Sequence, residues 1–203
     1  MKRTKKYGHR YCTAVIATLL IAAAGAAPVY AEEAGGNDRT GSTEASISFT
    51  AGTLKLVSVP VLDFGSRKVA ATEETYEATE VSLPIQVSDL RGNGGGWELM
   101  VSLSEFMLED GVTPTLKAAA IEISRPTVRA VNGNIGTPPQ TPVNLVLTSD
   151  HTETQIWTAD VGEGMGVWDL VWDEADTRLR VKPGTAEEGK SVATLTWTLQ
   201  TAP

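Results

Sequence analysis

Leu195-Thr-Trp-Thr-Leu-Gln-Thr-Ala-Pro203 is the segment from which the class of fold is inferred most directly. Its apolar side chains, Leu195, Trp197 and Leu199, occupy every second position, and threonines lie between them. This two-residue period is typical of a β-strand that buries one face and exposes the other. The segment therefore predicts a strand at the end of the chain, and with it a domain that needs these last residues.

The same pattern occurs about a hundred residues earlier, in Trp97-Glu-Leu-Met-Val-Ser-Leu103, and again in Val167-Trp-Asp-Leu-Val-Trp-Asp173. Short apolar runs of this kind, separated by Gly, Pro and Asn turns, predict an all-β fold: a single β-sandwich or barrel-like domain of about nine short strands. The segment 73–80 is acidic, and we expect a loop or one helical turn there. The predicted strands are 53–59, 81–88, 97–103, 119–124, 143–148, 154–159, 167–172, 179–182 and 191–200.

The tryptophans on these strands have two interpretations. A tryptophan on the apolar face of a strand usually lies in the core, where it removes about 150–250 Å² from water. The alternative is a platform on which a sugar ring stacks. As core residues, Trp97 and Trp197 should each cost about 3–5 kcal/mol when replaced by alanine, whereas platform residues should lose binding and keep stability.

The first 31 residues have the pattern of a secretory signal peptide. Five basic residues precede the first acid, Glu32, and an apolar run from Ala14 to Ala27 leads to Pro28-Val-Tyr-Ala31, a small-x-small cleavage site. We predict a cleaved signal peptide at 1–31, a flexible polar leader at 32–46 and the β domain at 47–203. Localisation is then secreted and extracellular, and the family resemblance described below adds association with the cell wall.

The predicted mature chain is acidic and lacks cysteine. Cys12 is the one cysteine and lies in the predicted signal peptide, so neither a disulfide nor a thiolate metal site is expected. Without the five basic residues of that segment, 12 Lys and Arg stand against 25 Asp and Glu, a net charge of −13. We therefore expect no nucleic acid partner and no direct membrane insertion.

The loop that contains Asp89, Arg91 and Gly92 is the first candidate site. Glycines there allow positive φ and close approach of the backbone. Asp89 and Arg91 can pair across a turn, or they can accept from and donate to a ligand. A phosphate-binding loop is not expected, because no Gly-Lys-Ser/Thr follows.

We expect neither catalysis nor a cofactor. His151 is the one histidine after the signal peptide, and no Gly-x-Ser-x-Gly elbow accompanies it. The acid pairs Asp169/Asp173 and Glu187/Glu188 are carboxylates of the right type for glycan hydrolysis, but pairs of this kind arise by chance among 25 acids. The acids between 169 and 176 lack the spacing of a calcium loop, and no metal is predicted.

Two segments carry a resemblance to a known family. Val87-Ser-Asp-Leu-Arg-Gly-Asn-Gly-Gly-Gly-Trp-Glu-Leu99 resembles the first signature of WxL domains, cell-surface domains of low-GC Gram-positive bacteria. Their pattern there runs roughly V-x-D-x-R-G, a short glycine-rich gap and W-x-L. The segment 194–203 resembles the second signature. The WxL motifs are then Trp97 with Leu99 and Trp197 with Leu199, as core or as wall-binding residues.

Further segments extend the resemblance over about residues 50–203. Leu62-Asp-Phe-Gly65 is similar to the family's opening turn. Gly164-Met-Gly-Val-Trp168 and Leu179-Arg-Val-Lys-Pro183 are similar to the stretch before its last strand. One departure is Ser191-Val192, where the family often has an aromatic residue.

The resemblance implies non-covalent attachment to peptidoglycan, within a multi-protein surface complex that includes other WxL proteins and a larger membrane-anchored companion protein. The sequence agrees with non-covalent attachment, because it has no LPxTG signal and no hydrophobic C-terminal tail. Two functions stay open. The chain either binds the wall itself, or it is a subunit whose wall attachment comes through the anchored partner.

Overall fold

The computed structural model describes residues 41–140 and 143–203. The predicted signal peptide and the leader up to residue 40 lie outside the described residues, and their boundaries stay predictions. Residues 41–48 contain no strand or helix and are exposed. Residues Phe49–Pro203 form one compact unit.

Strands dominate the described residues, which confirms the predicted all-β class. A single 3-10 helix, Glu174–Asp176, interrupts them. The strands are β1 (Leu54–Ser58), β2 (Leu62–Asp63), β3 (Glu74–Glu77), β4 (Glu80–Val81), β5 (Ile85–Asp89), β6 (Trp97–Leu103), β7 (Phe106–Leu108), β8 (Pro114–Thr115), β9 (Ala120–Ser124), β10 (Thr127–Ala130), β11 (Asn144–Thr148), β12 (Thr154–Ala159), β13 (Gly166–Val171), β14 (Thr177–Val181), β15 (Ser191–Val192) and β16 (Leu195–Thr201).

The described residues form sixteen strands, where the sequence predicted about nine. Several of the additional strands are only two to four residues long, too short for a two-residue period to be recognised. The predicted strand 191–200 is two strands, because β15 pairs with β7 while β16 pairs with β6. Each half therefore belongs to a different sheet.

The acidic segment 73–80 was predicted as a loop or helical turn, and this prediction is wrong. Residues Glu74–Glu77 form β3, which pairs antiparallel with β14, and Glu80 begins β4. The pairing places Glu77 opposite Arg178 and Tyr76 opposite Leu179. Basic and apolar cross-strand partners supplied by β14 thus stabilise a strand that its own composition disfavours.

Five antiparallel sheets result, and none of those built from the described strands closes into a barrel. The arrangement is sandwich-like. The three larger sheets have the orders β1-β5-β13-β10, β11-β9-β14-β3 and β12-β6-β16, and the small ones are β15-β7-β8 and β2-β4.

One hydrophobic core is shared by the three larger sheets. The central strand β6 contributes every second side chain, from Trp97 to Leu103, and each of these is at most 1% exposed. Ile85 and Leu170 enter from the first sheet, and Ile121 and Leu147 enter from the second. The alternation that predicted strands also identifies which residues fill the core.

Candidate functional site

The two WxL motifs lie side by side. β16 pairs with β6 along its whole length, so that Leu199 is opposite Leu99 and Trp197 is opposite Val101. Directly opposed residues of an antiparallel pair share a face, and here that face is the one turned to the core. Two segments about a hundred residues apart in sequence therefore form one structural unit.

Trp97 is fully buried. Its ring packs edge to face against Trp157, with the centroids 5.0 Å apart and an interplanar angle of 89°. Such a geometry is favourable for two aromatic quadrupoles. The indole Nε1 donates a hydrogen bond to the carbonyl oxygen of Gly164 at 3.3 Å. No face of this ring is left on which a sugar could stack.

Trp197 has a different environment. It lies on β16, at one end of its sheet, and it is half-buried, as are Leu195 and Leu199 on the same face. All three pack against the core from its margin. The second motif is thus less enclosed than the first.

Asp89 and Arg91 form an ion pair at the end of β5. Arg91 donates from Nε to Oδ1 of Asp89 at 2.9 Å and from Nη2 to Oδ2 at 2.8 Å. The Asp89 side chain is 1% exposed and that of Arg91 is 15% exposed. Arg91 Nη2 also donates to the carbonyl oxygen of Gly96 at 2.7 Å. The pair therefore ties the end of β5 to the start of β6.

The ion pair shifts the pKa values of both side chains, Asp89 and Arg91. Burial alone raises the pKa of Asp89, but hydrogen bonds from the side chain and backbone of Arg91, together with its charge, outweigh burial, and the pKa lies below its usual value. The hydrogen bonds to Asp89 raise the pKa of Arg91. Both groups are charged at neutral pH, and the carboxylate is engaged inside the protein rather than directed to a ligand.

Gly96 and Gly164 lie where a side chain has no room. Gly96 has φ of 62°, and a Cβ there would be 2.5 Å from the carbonyl oxygen of Ala159. Gly164 has φ of 68°, and its Cβ would be 2.6 Å from Trp97 Nε1. These glycines bring loops against the first WxL strand, which explains the glycine-rich composition of both segments.

Three loops meet at this end of the domain, and we call them the glycine-rich end: residues 90–96, 132–140 and 160–166. The amide of Gly162 donates to the carbonyl oxygen of Gly94 at 2.9 Å, and the amide of Gly164 donates to the carbonyl oxygen of Thr137 at 2.9 Å. Asn134 donates from Nδ2 to the Met165 carbonyl oxygen at 2.9 Å. The loops are therefore joined to one another as well as to the strands.

The tips of these loops carry exposed apolar side chains. Leu90, Ile135, Val161 and Met165 are 57%, 99%, 81% and 37% exposed. Beside them, Gln140 donates from Nε2 to Asp160 at 2.9 Å and to Glu163 at 3.3 Å. The surface of the glycine-rich end thus combines aliphatic groups with an amide and two carboxylates. Individual exposed aliphatics have no sequence pattern, so sequence reasoning could not identify this surface.

An open depression of about 580 Å³ lies elsewhere and is polar. Its arginines are already engaged within the protein: Arg67 lies over the Tyr76 ring and donates to the Glu77 carbonyl oxygen at 2.9 Å, while Arg178 pairs with the Glu77 side chain at 3.3 Å. The depression is lined by Arg67, Thr75, Tyr76, Glu77, Glu122 and Arg178. We regard it as a surface groove between paired charges.

The remaining candidate residues are dispersed. His151 is exposed on a turn with φ of 63°, and its amide donates to Leu103. Asp169 accepts from Gln86 Nε2 at 2.8 Å. Asp176 accepts from Arg125. Glu187 is exposed, and its amide donates to Thr115 Oγ1. The structure brings none of these side chains to the glycine-rich end.

Fold and site together define an all-β domain in which loops from distant strands are locked around a buried tryptophan at one end. The family model of the WxL domain, described as a surface cell wall-binding domain, matches residues 28–203. The chain belongs to the WxL family. A search of curated proteins and a search of solved structures found no match. In residues 41–140 and 143–203, no helix has the length and hydropathy that a membrane span requires.

Proposed function

We propose that the protein is secreted and binds non-covalently to the peptidoglycan of a Gram-positive cell wall through its glycine-rich end, without enzymatic activity. One observation supports the proposal above others. Two of the segments that carry the family resemblance, Asp89 to Trp97 and Gly164 to Trp168, converge at this one end. Asp89, Trp97 and Trp168 are turned inward and hold the loops in place, so the contact surface is formed by the exposed loop tips.

The chemistry of the tips suits peptidoglycan. Its sugars present acetyl and lactyl methyl groups beside amides, and its stem peptides are amide-rich. Aliphatic side chains such as Ile135 and Val161 cover methyl groups, and the Gln140 amide and the glycine backbone supply polar contacts. Preformed loops bind with little loss of conformational entropy, which favours affinity.

Co-sedimentation with purified sacculi freed of teichoic acid tests the proposal. The chain should bind saturably, and the Ile135→Ser/Val161→Ser double variant should bind at least about tenfold more weakly, which corresponds to about 1.4 kcal/mol. The matched control is Val69→Ser/Val112→Ser, which makes the same kind of change at exposed valines on other loops. This control should bind like the wild type.

The second candidate is a subunit that reaches the wall through a membrane-anchored companion or other WxL proteins. The observation that favours it is the same set of exposed aliphatic side chains, because exposed apolar groups on neighbouring loops are also typical of protein interfaces. If the folded protein does not bind sacculi but binds the companion's extracellular region, this second function replaces the first. Equal sacculus binding by both double variants would contradict the glycine-rich end as the contact surface.

A further inference from the structure

The outer edge of β16 is open. The sheet order is β12-β6-β16, and no other strand of the described residues pairs with β16. Edge strands are commonly protected by charged residues, prolines or bulges. The seven residues Leu195–Thr201 contain neither charge nor proline, and their register with β6 is continuous. This edge therefore remains a template for a further strand.

The orientation of the backbone groups on β16 follows from the ends of its ladder. The Thr194 carbonyl oxygen accepts from the Ser104 amide at 2.9 Å, and the Ala202 amide donates to the Gly96 carbonyl oxygen at 3.5 Å. In an antiparallel pair, the residues that bond a given neighbour recur at every second position. Even-numbered residues therefore bond β6, and the N–H and C=O groups of Leu195, Trp197 and Leu199 are directed to the open edge.

The sequence of this edge strand is palindromic around Trp197. Leu195-Thr-Trp-Thr-Leu199 reads the same in both directions. If an antiparallel copy of β16 is centred on Trp197, Leu195 lies opposite Leu199 of the second copy, and Thr196 lies opposite Thr198. The three outward-directed residues then exchange about six backbone hydrogen bonds, two at each opposed pair.

We propose that β16 pairs with β16 of a second copy of this chain in this register. The result is a two-fold symmetric dimer with one continuous sheet of order β12-β6-β16-β16-β6-β12. The pairing satisfies the edge backbone groups, matches Thr with Thr on one face, and adds cover to the half-buried Leu195, Trp197 and Leu199 on the other. A self-complementary strand is the natural element of such an isologous interface.

Sedimentation equilibrium of the full chain, exported by a Gram-positive expression host, tests the dimer. Thr196→Lys/Thr198→Lys places lysine opposite lysine twice, on side chains that are exposed in the single copy. Like charges directly opposed destabilise strand pairing, so dimerisation should weaken about tenfold or more. The matched control, Asn144→Lys/Val146→Lys, adds the same charges to β11, which also ends a sheet. It should dimerise like the wild type.

Cysteine cross-linking tests the register, with Cys12, the one native cysteine, replaced by serine. Chains with Thr196→Cys and chains with Thr198→Cys are mixed and oxidised. Opposed Cα atoms at such a pair lie about 4.5 Å apart, within disulfide range, whereas identical positions are two residues out of register and too distant. Only the mixture should give linked dimers.

Three outcomes would overturn the proposal. A monomer at every concentration means that another occupant covers the edge, either residues before 41 or a different protein. A dimer that tolerates the two β16 lysines uses a different surface. Cross-linking of the Thr196→Cys chain alone as efficiently as the mixture means a different register.

Discussion

At Gly164 the chain passes so close to Trp97 that a Cβ atom would lie 2.6 Å from the indole nitrogen. The burial and hydrogen bond of Trp97 therefore depend on the absence of a side chain 67 positions further along the sequence. The Asp89–Arg91 pair also serves the interior of the protein, because Arg91 donates a hydrogen bond to the Gly96 carbonyl oxygen. At the residue scale, the motif residues hold the loops, and the binding that we propose falls to their neighbours.

Two glycine substitutions separate steric overlap from backbone strain. Gly164→Ala should destabilise the domain by about 2–4 kcal/mol, the sum of a left-handed backbone penalty and overpacking against Trp97 and Ala159. Gly92→Ala, at φ of 70° with open space around it, should cost about 1–2 kcal/mol from strain alone. Urea unfolding measures both, and equal losses would contradict the close contact at Gly164.

The Asp89–Arg91 pair predicts a pH dependence. Because the folded-state pKa of Asp89 lies below its ordinary value of 3.8, its stabilisation is present above that value and is lost as pH falls through the folded-state pKa. Asp89→Asn leaves Arg91 without its partner and should cost about 3 kcal/mol at pH 7. Urea unfolding of both proteins from pH 7 to pH 2 should show the difference shrinking below about pH 4. A difference that is constant with pH would exclude an ionised Asp89.

At the scale of elements, the two-residue period was sufficient to predict β6 with its observed bounds, and a short apolar run between turn signals predicted those of β12. It failed at β3, where the stabilising partners lie on β14, about a hundred residues away. It also could not predict that β16 pairs with β6, because periodicity identifies faces but not neighbours. The candidate loop around Asp89 was found from its composition, whereas Ile135 and Val161 became candidates only through the hydrogen bonds that join their loops.

The positions of the two WxL strands predict unequal effects of the same substitution. Trp97→Ala, on the central strand, should cost about 3–5 kcal/mol and abolish the ring contact with Trp157. Trp197→Ala, on the edge strand, should cost about half as much because the ring is only half-buried. This revises the equal costs predicted from sequence. Chemical denaturation of both variants checks it, and a larger loss at Trp197 would contradict the assignment of β6 as the central strand.

At the scale of the whole molecule, the proposed binding end and the proposed dimer edge occupy different parts of the domain. The loops lie at the ends of strands, whereas β16 presents its side. In an antiparallel β16 pair, the two glycine-rich ends point in opposite directions. Dimerisation therefore leaves both ends free.

The acidity of the chain sets the electrostatics of wall binding. With a net charge of −13 after the predicted cleavage, the protein is repelled by anionic wall polymers. Binding to intact walls, which carry teichoic acid, should strengthen as salt rises from about 0.01 to 0.15 M, because the Debye length falls from about 30 to 8 Å. Binding to teichoic-acid-free sacculi should change much less. Weaker binding to intact walls at high salt would indicate a cationic contact instead.

The most direct test of the central claim is amide chemical-shift mapping of the protein with soluble muropeptides. Binding through the glycine-rich end predicts saturable shifts concentrated in residues 90–96, 132–140 and 160–166, with little change along β11 or around Arg67. Shifts centred on the depression beside Arg67 would contradict the claim. So would the absence of shifts from a protein that binds sacculi saturably.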